Sequence, residues 1–454
     1  MAKRIAQFVE SVEYSDLKQS VVSEVKRRIL DSIGVMAGAY RDVTPRIVMR
    51  EAMRFPTEGG SRLFGSGVRV APDWASFANG VLVRYLDFND TYLSREALHP
   101  SDTIPALIAV ADDLGSSGKE LMTSIVVAYE VTCWLADSLS LRDNGYDHVA
   151  CIAFGTAAGA SKLMGLETNE IVNAINLTGV AAAALRQTRA GELSMWKGCA
   201  AANAARHGVF ATLLARGGVT GPSPIFEGEM GFIRVISRDF REVPLPLNDR
   251  GDFRLLKTHI KRWPVEYHSM SAVEAAIDLV RSEGINASEV SQIKVNTFSV
   301  SYRIIVKDPE KWNPKTRETA DHSLPYIVAR TLVDGDIWLE SFDEERLREE
   351  RVRELMRLMK VDVYPRYDEL YPEAIPNSIE VVDRRGRTLS REVLYPKGHC
   401  SNPLSRDELT EKFKKLSIGV FGEELAEEVV KSVEGLENSP DVSELVDCLS
   451  FDRR

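Results

Sequence analysis

RYLDFNDTYLSREALHPSDTIPA, residues 84–106, places Asp87, Asn89, Asp90, Thr91, His99, Ser101 and Asp102 between two apolar helical patterns. The pattern before it opens at Pro72 and repeats Trp74, Phe77, Ala78, Val81, Leu82 and Tyr85 at helical spacing. The pattern after it starts from Ser101 or Asp102 as a cap, carries Pro105 in its first turn and runs to Gly115. The stretch is therefore a polar helix-to-helix connection, with His99 beside the positive end of the second helix. Backbone N–H groups at such an end attract carboxylates and phosphates.

Working outward, helical patterns fill the first half of the chain. Asp16 is positioned to cap a helix with Val22, Val25, Ile29, Ile33 and Met36 on one face. EGGSRLFGSGVRV reads as a small hairpin, and its glycines do not form a phosphate-binding fingerprint. Lys119–Leu139 reads as one long helix. A loop ending at His148 leads into a helix whose alanines and glycines let neighbours approach closely. Residues 186–193 form a loop, and Ser194 starts a helix with Lys197 in its first turn, the wrong end for a cation. Since Trp196, Cys199 and Ala200 flank that lysine with apolar surface, Lys197 is a candidate for function. His207, deep in the same helix, is read as structural.

PLPLNDRGD, residues 244–252, reads as a linker, after which the periodicity changes. Lys257–Trp263 and Gln292–Tyr302 read as strands, and a helix enters at about His322. Glu340–Lys360 reads as a charged helix with a solvated face. VDVYP, SIEVVD and TLSREVLYP read as strands, the last two joined in a hairpin. Three helical patterns return after Pro403 and are expected to pack on the first domain. The fold class that follows is mostly α: a large all-α domain from residues 1–256 and 398–454, with a smaller α+β domain, 257–397, inserted.

Composition narrows the function. Of 454 residues, 44% are hydrophobic and 27% charged, as in soluble globular proteins. A net charge of −10 without a basic block argues against a nucleic-acid partner. Five scattered cysteines with no C-x-x-C signal neither a zinc ribbon nor an iron–sulfur site. The N-terminus lacks the apolar core of a signal peptide, and the longest uncharged apolar run, Val149–Ser161, is too short to span a bilayer. A cytoplasmic location with no membrane partner is expected.

LDFNDT with the following HPS, the His148 and Lys197 segments, KRWPVEYHS and TADHSLPY together resemble the MmgE/PrpD family, as do the closing YPKG, NPLS and EKF elements. The resemblance covers nearly the whole chain. It implies the two-domain architecture with the inserted α+β domain as a lid, an active site between the domains, and a homodimer. It also implies dehydration of 2-methylcitrate or citrate, or decarboxylation or epimerisation of a related acid. Matched residue by residue, it points to Asp87, Thr91, His99, His148, Lys197, Lys261 and Tyr326, with His268 and His322 inside matching motifs. The wording of TADHSLPY and VEYHSMSAVEAA is closer to the dehydratase branch.

These residue types suit that chemistry. Dehydrating a 2-hydroxy tricarboxylate removes a C–H proton beside a carboxylate and expels a poor leaving group. His99 and His148 form the acid/base pair, either one being the acid and the other the base. Lys197 stabilises developing charge, Asp87 orients a histidine, and Tyr326 donates a hydrogen bond from the lid after closure. Thr91, Lys261, His268 and His322 bind substrate. No metal and no cofactor is expected. The reading of another class, a non-catalytic helical interaction protein, predicts loss of some ionisable positions, and every matched one is still ionisable.

Overall fold

The computed structural model describes residues 1–191, 193–248 and 251–453. The expected loop at 186–193 and the linker at 244–252 thus each include positions outside the described residues. The molecule is mostly helical, with 59% helix and 10% strand. It divides into two compact units, one of Met1–Gly191, Met195–Thr258 and Ser405–Arg454, the other formed mainly by His259–Leu404.

In the first unit the helices are α1 (Ala2–Ser11), α2 (Gln19–Ala39), α3 (Val43–Ala52), α4 (Pro72–Arg84), α5 (Ile104–Leu114), α6 (Gly118–Ser138), α7 (Val149–Leu163), α8 (Thr168–Ala181) and α9 (Trp196–Arg216). The expected hairpin is a two-stranded antiparallel sheet, β1 (Pro56–Arg62) with β2 (Arg69–Val70). Pro72 sits in the first turn of α4, where its missing N–H costs nothing. Asp16, however, does not cap α2. It closes a short 3-10 turn, Tyr14–Asp16, and Lys18 occupies the cap position.

Packing around α7 explains its small residues. A Cβ added to Gly155 would lie 1.8 Å from Thr132 Oγ1 on α6, and one on Gly208 of α9 would lie 2.5 Å from the Ala153 carbonyl. Helix axes can approach this closely only where a side chain is missing. The long helix Arg406–Glu434, broken at Gly422 (φ 76°), packs on α2 as the sequence led one to expect. A buried ion pair, Lys412 Nζ to Asp31 Oδ1 at 2.6 Å, joins the two, and the ammonium also lies over the Phe88 ring at 3.8 Å. Among the described residues, no helix is long and apolar enough to cross a membrane.

The second unit contains a four-stranded sheet ordered β4-β3-β5-β6, from β3 (Val290–Thr297), β4 (Met359–Val363), β5 (Asn377–Asp383) and β6 (Thr388–Val393). β3 and β4 are parallel, while β3–β5 and β5–β6 are antiparallel. The register sets Ile293 opposite both Val381 and Met359, and Val295 opposite Ile379 and Val361, so apolar side chains share one face. Helix α10 (Met270–Arg281) packs on β5 and β6. Three expectations need correcting here. The strand expected at Gln292–Tyr302 ends at Thr297, and Ser299–Ile305 is helical. Lys257–Trp263 is not a strand: a 3-10 turn, Arg254–Lys257, ends there and the chain continues irregularly. The charged stretch 340–360 is broken into short pieces, the longest Glu350–Arg357.

Candidate active site

The connection between α4 and α5 is polar and yet buried. Asp87, Asn89, Asp90, Thr91, Ser101 and Asp102 are each no more than 2% exposed. A 3-10 turn, Pro100–Thr103, leads into α5 with His99 at its cap position, and no local side chain caps it. The capping role expected of Ser101 or Asp102 falls instead to Asp90, whose Oδ1 accepts the Ser101 N–H at 2.9 Å. The other oxygen of Asp90 accepts the Tyr129 hydroxyl at 2.8 Å, and Arg28 Nε lies 3.5 Å away. Asn89 donates to Ser101 Oγ and Asp102 Oδ1, both at 2.9 Å. Burial pushes the Asp102 carboxyl up to about 7, against the pull of Arg84 and the Asn89 hydrogen bond.

Asp87 is the hub. Its backbone takes φ 52°, the left-handed region, which turns the chain out of α4. Arg84 donates to its Oδ1, His99 Nε2 lies 3.6 Å from the same oxygen, and Lys197 Nζ is 3.8 Å from Oδ2. Lys197, at the second position of α9, is 4% exposed and so is no solvated surface lysine. His99 is fixed through Nδ1, 2.6 Å from the Asp90 carbonyl and 3.3 Å from Thr91 Oγ1. A carbonyl can only accept, so Nδ1 carries the proton in this contact and Nε2 faces Asp87.

His148 takes the cap position of α7, and its ring centroid is 6.0 Å from that of His99. Its Nδ1 is 3.0 Å from Asp147 Oδ1, and its buried Nε2 has no hydrogen-bond partner. Desolvation by burial lowers the imidazole to about 3, opposed by Asp147 and reinforced by Arg189, Arg84 and Arg186. Asp147 cannot hold the ring charged because its carboxylate is already matched by Arg189, with Nε at 2.9 and 3.1 Å. The result is a neutral imidazole with its Nε2 lone pair unused.

The second unit gathers another group. His268 Nδ1 is 2.6 Å from Glu266 Oε1, and Glu266 Oε2 accepts the His268 backbone N–H at 2.9 Å. His322 Nδ1 is 2.5 Å from Asp321 Oδ1, and the Asp321 carbonyl accepts the Glu266 N–H at 2.8 Å. Burial works against a charged Glu266. His268, then His322 and Lys261, outweigh it and hold this carboxyl below its usual range. Tyr326 does not join either group. It is 1% exposed and its hydroxyl donates to the Ser341 carbonyl at 2.5 Å, so the free donor expected from the sequence is already engaged. His207 bonds the Thr178 carbonyl at 3.2 Å, in keeping with a structural role.

Asp147, Arg189, Arg84, Asp90 and Glu266 were missed by the sequence reading. A signal for two of them was present: Asp147-His148 and Glu266-Tyr267-His268 each put a carboxylate within two residues of a histidine, as does Asp321-His322. Arg84 stands three residues before Asp87, a spacing that was also there to read, whereas Arg189 gave no signal because its partner Asp147 is 42 positions away.

Comparison with known proteins finds matches along most of the chain. Residues 3–243 match the MmgE/PrpD N-terminal domain and residues 263–438 the MmgE/PrpD C-terminal domain. The chain is similar to 2-methylcitrate dehydratase of Salmonella typhimurium, 30% identical over 78% of this chain and 77% of that protein. It resembles the mitochondrial 2-methylcitrate dehydratase of Yarrowia lipolytica at 29% identity over 86% and 78%. Similarity to cis-aconitate decarboxylase of Mus musculus is 27%, covering 98% of this chain and 92% of that one. The chain belongs to the MmgE/PrpD family.

Proposed function

We propose that the protein is a metal-independent hydro-lyase that removes water from 2-methylcitrate or citrate. One observation carries the reading: His148 is neutral, buried, and offers an unpartnered Nε2 lone pair beside His99. In this proposal His148 Nε2 takes the C–H proton next to a substrate carboxylate. The electron pair of that bond becomes the new C=C bond, and the hydroxyl departs as water with a proton from His99. His99 is given the acid role because the Asp87 carboxylate stands where a proton on Nε2 would sit. Lys197 binds a carboxylate and stabilises charge as the proton leaves, and Thr91 steadies the His99 ring. Lys261, His268 and His322 are proposed to bind substrate on the strength of their chemistry. Homodimer formation belongs to the same proposal and is read by sedimentation.

A second reading, decarboxylation of a cis-aconitate-type acid, is favoured by the nearly full-length similarity to the mouse decarboxylase. The deciding experiment incubates the purified protein with 2-methylcitrate, citrate and cis-aconitate. Rising C=C absorbance from either of the first two supports the dehydratase. Release of CO2 from cis-aconitate, with no water elimination, replaces it with the decarboxylase. No turnover of any panel member overturns both.

A further inference from the structure

Apart from the residues assigned to catalysis, the second unit holds a compact trio of soft donors. His259, His399 and Cys400 each offer one ligand atom, and these atoms lie within 4.8 Å of one another. Both histidines are buried, at 4% and 2% exposure, and Cys400 is half-buried. The imidazole rings stack with centroids 4.2 Å apart and planes 21° from parallel, and Tyr267 stacks on the far face of His259.

Hydrogen bonds set which ring nitrogens carry lone pairs. The Cys400 N–H donates to His259 Nδ1 and the Ser401 N–H to His399 Nδ1, both at 3.0 Å. Each Nδ1 is therefore an acceptor aimed at the turn that carries the Cys400 thiol, and Cys400 Sγ is 3.9 Å from His399 Nδ1. With Nδ1 accepting, the proton of the neutral His399 ring sits on Nε2, which is buried without a partner.

We propose that His259, His399 and Cys400 form a binding site for a soft divalent transition ion of the Zn2+ class. Two imidazoles and a thiolate are the donor set such ions select over harder cations. Tetrahedral bonds of about 2.0–2.3 Å separate donors by roughly 3.3–3.7 Å. The Sγ–Nδ1 pair is already close to that spacing. Because an ion lies in the plane of each imidazole it binds, one of the two stacked rings must turn out of the stack as the widest pair closes by about 1 Å. Binding exchanges two N–H···N hydrogen bonds, about 0.5–1.5 kcal/mol each, for metal–ligand bonds. The thiol proton passes to solvent as the thiolate coordinates. Three protein ligands leave the fourth position to water, on the open side of Cys400.

Co2+ serves as the probe on the full-length, chelator-stripped protein. One equivalent is expected to produce a thiolate-to-cobalt charge-transfer band in the near ultraviolet with the visible bands of four-coordinate cobalt, both displaced by Zn2+. Cys400→Ser should abolish the charge-transfer band, and His399→Gln should weaken Co2+ binding at least ten-fold, each variant melting within a few degrees of the parent. If a variant does not fold, the parent spectrum still decides. Absence of the band at one equivalent overturns the site, and so does a band that persists in Cys400→Ser.

Discussion

The imidazole of His148 stands 3.0 Å from the carboxylate of Asp147 and is neutral all the same, because burial strips a charged ring of its hydration and Arg189 already matches that carboxylate's charge. A base that stays unprotonated well below neutrality has a direct signature. Ring chemical shifts of His148, assigned by comparison with His148→Gln, should show no protonation as pH falls from 7 to about 4. A midpoint above pH 6 would refute the neutral-base assignment.

The same shift fixes the sign of a stability effect. Its folded value, about 3, lies below the ordinary 6.5, so the unfolded chain binds this proton more readily. The contribution of His148 is complete above about pH 6.5 and is lost as pH falls towards 3. Denaturant midpoints measured from pH 7 down to 4 should decline less steeply in His148→Gln than in the parent. Equal slopes would show that burial of this ring does not govern the acid limb.

Replacing the proposed proton carriers separates chemistry from binding. His99→Ala and His148→Ala should each lower kcat by roughly 10²–10⁴ with KM little changed. Lys197→Ala should raise KM as well, since its charge also acts on the ground state. Near-normal turnover in both histidine variants would move the base role to Asp87 or Lys197.

Asp87 meets Arg84, His99 and Lys197 from a left-handed backbone, a conformation asparagine tolerates better than most residues. Asp87→Asn should therefore fold, judged by circular dichroism, while losing kcat through misplacement of His99 and Lys197. Unchanged kinetics would reduce this carboxylate to a structural element.

Metal-independence is tested by exhaustive chelation. Turnover of a substrate identified in the tricarboxylate panel should persist after a strong chelator has been applied and removed. Loss of activity that added Fe2+ or Mg2+ restores would contradict the proposed acid–base chemistry.

Local pattern carried much of the structure into view from the sequence. Pro72 opening α4, His148 ending a loop, and the small residues of α7 were all readable, because capping and close packing leave marks within a few residues. Asp90 was readable as polar but not as the group that holds the turn at Ser101, since that contact spans eleven positions. Arg84 pairs locally with Asp87 but only tertiary packing buries it, and only tertiary packing brings Arg189 to Asp147. Tyr326 is a residue type suited to catalysis, and its bond to the Ser341 carbonyl, fifteen positions on, left no mark in the sequence.

The Asp31–Lys412 pair spans 381 positions and is fully buried, which bears on how the chain comes to be folded during synthesis. As the nascent chain lengthens, α2 emerges early with Asp31 near only its own helix's Arg27 and Arg28, and the ammonium it bonds follows with the segment 406–434. By then every residue of His259–Leu404 has been made, so that unit can assemble while the helical one is still waiting. A carboxylate buried without its partner costs about 3–5 kcal/mol. The helical unit draws on residues 405–454, so its last pieces are synthesised only after the whole of the other unit.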